Sequence, residues 1–160
     1  MSNLAYKLLI FDWEGTLADP RFIGPTQLFP NTVSVLTDLH EQGYLLAIAT
    51  AKSTAGLAAD LVDTGLQKII ATTCTAQETE PKPDPKMLFT ILDELAIMPQ
   101  DALMIGDTIF DLMMADNANM SALAVASGVQ TREELLEYHP IDCLDMITEL
   151  PDWLLTHRKI

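Results

Sequence analysis

The 160-residue chain is poor in basic residues: nine Lys and Arg stand against 23 Asp and Glu, for a formal charge of −14. Binding to nucleic acid or to an anionic membrane gains mainly from neutralising phosphates with Lys and Arg, so neither partner is expected. The acidic excess reads as a solvated surface that maintains solubility, and any anion site must be local, made of metal, lysine and backbone amides. Cysteine is confined to Cys74 and Cys143, with no CxxC spacing. Two buried thiols in a reducing compartment is the reading, rather than a disulfide. No apolar run approaches the ~18–20 residues of a membrane span. The opening MSNLAYKLLIFDWEG reaches Asp12 after an apolar stretch too short for a secretory signal. A cytoplasmic protein is expected.

What is present is a core. Hydrophobic residues make up 49% of the chain, and a domain of this length buries roughly 68–70% of its unfolded surface, so residues 1–160 are read as one domain. Short apolar runs at KLLIF (7–11), YLLAIA (44–49), KIIAT (68–72), ALMI (102–105) and SALAVA (121–126) have the pattern of strands buried on both faces. Helical patterns lie between them. Asn31 opens 32–42, which stops at Gly43, and Ser53 caps 54–64, which stops at Gly65. Asp84 followed by Pro85 opens 85–95, and Thr131 with Glu134 has capping-box spacing for 132–138. The segment 144–155 reads as a terminal amphipathic helix, and 18–30, rich in Pro and Gly, as a loop. Strand–helix alternation of this kind predicts an α/β fold of three layers, Rossmann-like, with a central parallel sheet and helices on both faces.

In such a sheet, ligands sit beyond the carboxyl ends of the strands. Asp12-Trp13-Glu14-Gly15-Thr16 follows the first strand, Thr50 ends the second, and Gly106-Asp107 follows the fourth, with Asp111 four residues on. Lys82 stands in the proline-rich PKPDP (81–85). Acids, a hydroxyl and a lysine gathered at one sheet edge fit a metal-assisted phosphate site. Standing alone, Thr50 or Lys82 would be an ordinary structural residue; their order and strand placement carry the reading. His40, His139 and His157 are scattered without ligand spacing, and Met113 and Met114 read as core.

These residues, in this order, resemble the haloacid dehalogenase superfamily of phosphohydrolases over nearly the whole chain. FDWEGTLAD resembles its first motif, Thr50 the second, Lys82 in PKPDP the third and GDTIFD (106–111) the fourth. The flanking LFPNTVSVLTDLHEQGYLLAIATAKS and SGVQTREEL look most like phosphoglycolate-phosphatase-like members. The resemblance implies a phosphatase acting on phosphate monoesters through an aspartyl phosphate. It makes Asp12 the nucleophile and Glu14 the acid/base, with Asp12, Thr50, Ala51 and Lys82 holding phosphate. It implies Mg²⁺ as cofactor, ligated by Asp12, Asp107 and the backbone carbonyl of Glu14, with Thr16 and Asp111 supporting from outside the ligand set. The chemistry is consistent with that: carboxylates ionised at neutral pH repel a phosphate dianion, and a hard cation together with Lys82 offsets the repulsion.

Two features depart from the family pattern. Glu14 stands where family phosphatases carry a second aspartate, retaining the acidity but altering the reach. Only 33 residues separate Thr16 from Thr50, and 31 separate Thr50 from Lys82, so core elements fill both spans and no separate cap domain is expected. A capless site implies a large substrate with an exposed phosphate, a phosphorylated small molecule taken with low selectivity, or a lid lent by another subunit of a homo-oligomer. The alternative function is a weak or inactive phosphate-binding or protein-interaction module, which Glu14 alone favours. Dehalogenation on the same scaffold is disfavoured, because it has no use for Asp107 with Asp111.

Overall fold

The computed structural model describes residues 4–157. Its sheet has six parallel strands: β1 (Leu8–Phe11), β2 (Leu45–Thr50), β3 (Thr72–Thr75), β4 (Ala102–Gly106), β5 (Ser121–Val125) and β6 (Asp142–Leu144). They lie in the order β3-β2-β1-β4-β5-β6. The helices are α1 (Thr32–Glu41), α2 (Thr54–Thr64), α3 (Lys86–Leu95), α4 (Ile109–Asn117), α5 (Arg132–Leu136) and α6 (Leu150–Leu155). The α/β, three-layer reading holds. Between β1 and β2 the chain forms a loop and α1; between β2 and β3 it forms α2 and one short turn of 3₁₀ helix. Neither connection contains a separate cap.

The central strands are buried on both faces, and their alternation divides the core in two. Leu9, Phe11, Leu46, Ile48, Leu103, Ile105, Leu123 and Val125 face one layer, with Leu36 and Leu39 of α1, Leu57 of α2 and Trp153 of α6. Leu8, Ile10, Ala47, Ala49, Met104, Ala122 and Ala124 face the other, with Met87, Leu88 and Ile91 of α3 and Leu112 and Met114 of α4. Each fully buried aliphatic side chain contributes roughly 1.5–3 kcal/mol, and this two-sided packing fixes the strand ends on which the site is built. Met114 is core as expected, and Met113 is half-buried. Cys74 and Cys143 are buried free thiols.

Several element boundaries differ from expectation. The third strand is not 68–72: Leu66–Lys68 forms a 3₁₀ turn, and the edge strand is Thr72–Thr75. Ile69 and Ile70 pack against the core from that turn, which accounts for the apolar run without a strand. The segment 144–155 is not one helix. Leu144 ends β6, a 3₁₀ turn follows at Ile147–Glu149, and α6 begins at Leu150. Asn31 takes a left-handed φ of 66° and makes no side-chain cap bond. Pro85 is the capping residue of α3, with the Asp84 Oδ1 accepting from Lys86 N at 2.9 Å. Ser53 caps α2 as expected, and Thr131 with Glu134 forms the expected capping box.

Candidate active site

β1 and β4 are neighbours whose helices leave on opposite sides, so their carboxyl ends border the crevice of the sheet. Asp12 follows β1, its N–H donating to Ile105 O of β4 at 3.0 Å. Asp107 follows β4, and Thr50 ends β2. All three are buried. The loop before α3 brings in Lys82, whose side chain is only 8% exposed; its Nζ lies 3.1 Å from Asp12 Oδ1 and 2.6 Å from Asp111 Oδ1. The four separated stretches of chain therefore meet.

Asp111 owes its place to local sequence. Thr108 caps α4 and accepts from Asp111 N, while Asp111 Oδ2 accepts from Thr108 N and Oγ1, each at 3.1 Å. This capping box turns the carboxylate back over the start of the helix, leaving Oδ1 for Lys82. Gly106 makes the turn possible, because a Cβ there would overlap the Asp111 side chain. Asp107 is confined in the same way. Thr16 Oγ1 donates to its Oδ1 at 3.0 Å, and a Cβ on either Gly15 or Gly128 would collide with its carboxylate. Gly15 also has φ +85°, which glycine adopts without the penalty a Cβ brings. Ser127 Oγ donates to Gly15 O at 2.7 Å and ties the loop after β5 to the loop after β1.

The charges in this cluster do not balance. Asp12, Asp107 and Asp111 are buried with carboxylate oxygens within 4.8 Å of one another, and Lys82 is the ammonium among them. Burial, then the charge of Asp111, raises the Asp12 pKa well above its ordinary value, although Lys82 opposes this. Burial and Asp111 likewise push Asp107 up to about 6, against the Thr16 hydrogen bond. Burial would depress Lys82, but the charges of Asp111 and Asp12 outweigh it and raise its pKa above that of ordinary lysine. An oxygen donor set with surplus negative charge suits a hard divalent cation. With both oxygens of Asp111 engaged by Lys82 and Thr108, Asp12 and Asp107 are the better placed ligands.

A cavity of about 400 Å³ opens over this cluster, lined among others by Asp12, Glu14, Thr50, Ala51, Lys82 and Asp107. Thr50 Oγ1 accepts from Lys52 N at 3.1 Å, so it keeps its own proton to donate. Glu14 is placed differently from the other acids. Its side chain is half exposed and lies 3.5 Å from Lys52 Nζ. Lys52 also pairs with Asp60 at 3.2 Å, and Asp60 accepts from the buried Trp13 Nε1 at the same distance.

All the expected residues therefore border the cavity or brace those that do. Lys52, Gly128 and the cavity-lining Pro20, Pro81, Phe110 and Val129 join the site without having been expected in it from the sequence. Lys52 sits two residues beyond the end of β2, in the loop leading to the α2 cap, and that position was its only signal. His40, His139 and His157 lie outside the site; His157 stacks on Trp153 at 3.8 Å.

Comparison with known proteins agrees with this geometry. The family model described as haloacid dehalogenase-like hydrolase matches residues 21–125. That span takes in Thr50, Lys82, Asp107 and Asp111, whereas Asp12 precedes it. The chain is 35% identical over 127 residues to "Probable phosphatase IndB" of Dickeya dadantii, which covers 79% of this chain and 55% of that protein. It is 31% identical over 131 residues to "Phosphoglycolate phosphatase" of Psychrobacter arcticus, covering 81% and 57%. The chain thus spans somewhat over half the length of these curated relatives. A haloacid dehalogenase-like family hydrolase from Streptococcus pneumoniae superposes with a TM-score of 0.80 at 18% identity, covering 93% of this chain and 98% of that one. A family model that matches about two thirds of the chain, together with a relative 35% identical over 79% of it, shows where it falls: the chain belongs to the haloacid dehalogenase-like hydrolases.

Proposed function

We propose that the protein is a Mg²⁺-dependent phosphatase that hydrolyses phosphate monoesters through a phosphorylated Asp12. The observation that carries the reading is the meeting of Asp12, Lys82, Asp107 and Asp111 at one sheet edge, three buried carboxylates around one ammonium. Phosphatase names among the relatives support it. Asp12 and Asp107, with the backbone carbonyl of Glu14, would hold Mg²⁺, which supplies charge neutralisation for the incoming phosphate and keeps Asp12 ionised as a nucleophile.

The chain's own residues then divide the work. Thr50 donates its hydroxyl proton to a phosphate oxygen, and the backbone at Ala51 borders the same oxygens. Lys82 neutralises charge on the equatorial oxygens while Asp111 holds its ammonium in position. Asp12 forms a bond to phosphorus as the ester oxygen departs, and Glu14 delivers the proton that oxygen needs. Glu14 then takes a proton from the water that attacks the acyl phosphate, which restores Asp12 and releases phosphate. Thr16 and the flanking glycines fix the rotamer of Asp107.

Residues 1–160 act as one domain in this reading, on a phosphorylated small molecule, in a reducing cytoplasm that keeps Cys74 and Cys143 as thiols. The described helices include none long and apolar enough to cross a membrane. The test is phosphate release from p-nitrophenyl phosphate with and without Mg²⁺, beside Asp12→Asn. Mg²⁺-dependent release that Asp12→Asn abolishes supports the reading. Absence of release from the wild type under both conditions favours the non-catalytic phosphate-binding module.

A further inference from the structure

The cavity changes character with depth. Its buried part carries the charged and hydroxyl groups Asp12, Thr50, Lys82 and Asp107. Its exposed part sets four apolar residues from separate stretches of chain beside the half-exposed Glu14 and its partner Lys52. Pro20 comes from the loop after β1, Pro81 from the segment before Lys82, Phe110 from the first turn of α4 and Val129 from the loop after β5. Phe110 is 50% exposed and Val129 81% exposed, so both present hydrocarbon to whatever projects from the phosphate.

The charges at the mouth point the same way. Among the described residues, Lys52 and Lys82 are the cations that line the cavity, against the carboxylates of Asp12, Glu14 and Asp107. Lys82 is taken by Asp12 and Asp111, and Lys52 by Glu14 and Asp60. A second anion on the substrate, beyond the phosphate itself, would find no lysine of the lining without a carboxylate partner, since Lys52 keeps Asp60 even when Glu14 is protonated, and it would lose its hydration against hydrocarbon. An uncharged apolar group would instead bury surface against Phe110, Val129 and the two prolines.

From this arrangement we infer the substrate class, an inference that rests on the phosphatase reading above: the cavity selects phosphate monoesters of uncharged, apolar alcohols over those that carry a second anionic group. Phe110 and Val129 are then the residues that set specificity. Phosphoglycolate, the substrate that names one of the relatives, carries a carboxylate beside its phosphate and falls in the disfavoured class.

A matched pair of esters tests it: benzyl phosphate, and the same ester with a carboxylate at the para position of the ring, whose leaving alcohols have closely similar reactivity. The expected kcat/KM for benzyl phosphate is roughly tenfold or more above its carboxylated twin, and Phe110→Ser narrows the gap chiefly by raising KM for benzyl phosphate. Equal or faster turnover of the carboxylated ester overturns the inference and leaves the phosphatase reading standing. Should neither ester be turned over, Mg²⁺-dependent binding of benzylphosphonate and its para-carboxylated analogue decides by calorimetry. Tighter binding of benzylphosphonate supports the selectivity, and equal binding, or none, overturns it; release of phosphate from p-nitrophenyl phosphate decides the hydrolytic reading separately.

Discussion

The Lys82 ammonium lies closer to Asp111 than to Asp12, at 2.6 Å against 3.1 Å. Its first partner is thus the residue that the Thr108 capping box fixes in place, and its second is the proposed nucleophile. Helix capping and the hold on Lys82 share one carboxylate. Asp111→Asn should keep the cap while weakening the hold on Lys82. Turnover is expected to fall roughly 10–100-fold, the range seen when an outer partner of a metal site is removed. Unfolding free energy should drop by on the order of 1–3 kcal/mol, because a buried charged hydrogen bond is lost. Steady-state kinetics and urea unfolding read the two effects; unchanged turnover would show that Lys82 needs no such anchor.

The raised pKa of Asp107, about 6 against an ordinary 3.8, makes a signed prediction for the metal-free protein. The folded state holds this proton more tightly than the unfolded chain does, so the group costs no stability below about pH 4. Stability then falls as pH rises through the window from 4 to 6 and levels off above it. Asp107→Asn removes the penalty. At pH 7 with a chelator it should be more stable than the wild type, by on the order of 2–3 kcal/mol, and at pH 4 the two should converge. Added Mg²⁺ should stabilise the wild type at pH 7 and do little for the variant. Thermal melts at both pH values, with chelator or Mg²⁺, check this; a less stable variant at pH 7 would mean that the site carries no charge deficit.

The parts of this site that were legible in the sequence are those fixed by a strand end. Asp12, Thr50 and Asp107 each follow a buried apolar run, and the parallel sheet brings such ends together whatever lies between them. Lys82 and Asp111 were legible through their order along the chain. The rest depends on loops. Gly128 and Val129 lie in the loop that Ser127 ties to Gly15, and no periodicity encodes that contact. Lys52 is recognisable only once Glu14 and Asp60 stand beside it. The edge strand Thr72–Thr75 escaped notice because its threonines make no apolar run, while Ile69 and Ile70 did so from a turn. At three residues, β6 is too short to show a pattern.

Glu14 offers the sharpest test of geometry against chemistry. Its side chain is half exposed and paired with Lys52 at 3.5 Å, whereas Asp12 and Asp107 are buried. General acid–base help contributes ~10²–10⁴-fold when hydrogen-bond reach is met. Glu14→Gln should therefore lower kcat within that range. Glu14→Asp restores the shorter side chain of the family pattern and should raise kcat if reach is the handicap. Unchanged turnover in Glu14→Gln, with Asp12→Asn inactive, would remove Glu14 from the mechanism.

The most direct measurement asks whether a covalent bond forms at Asp12. Enzyme mixed with p-nitrophenyl phosphate and Mg²⁺ is quenched in acid during turnover, treated with borohydride to reduce any acyl phosphate, and digested for peptide mass spectrometry. Homoserine is expected at position 12, in the wild type only and only when substrate was present. Turnover without any reduced residue at position 12, in an enzyme whose Asp12→Asn variant is still active, would contradict that expectation.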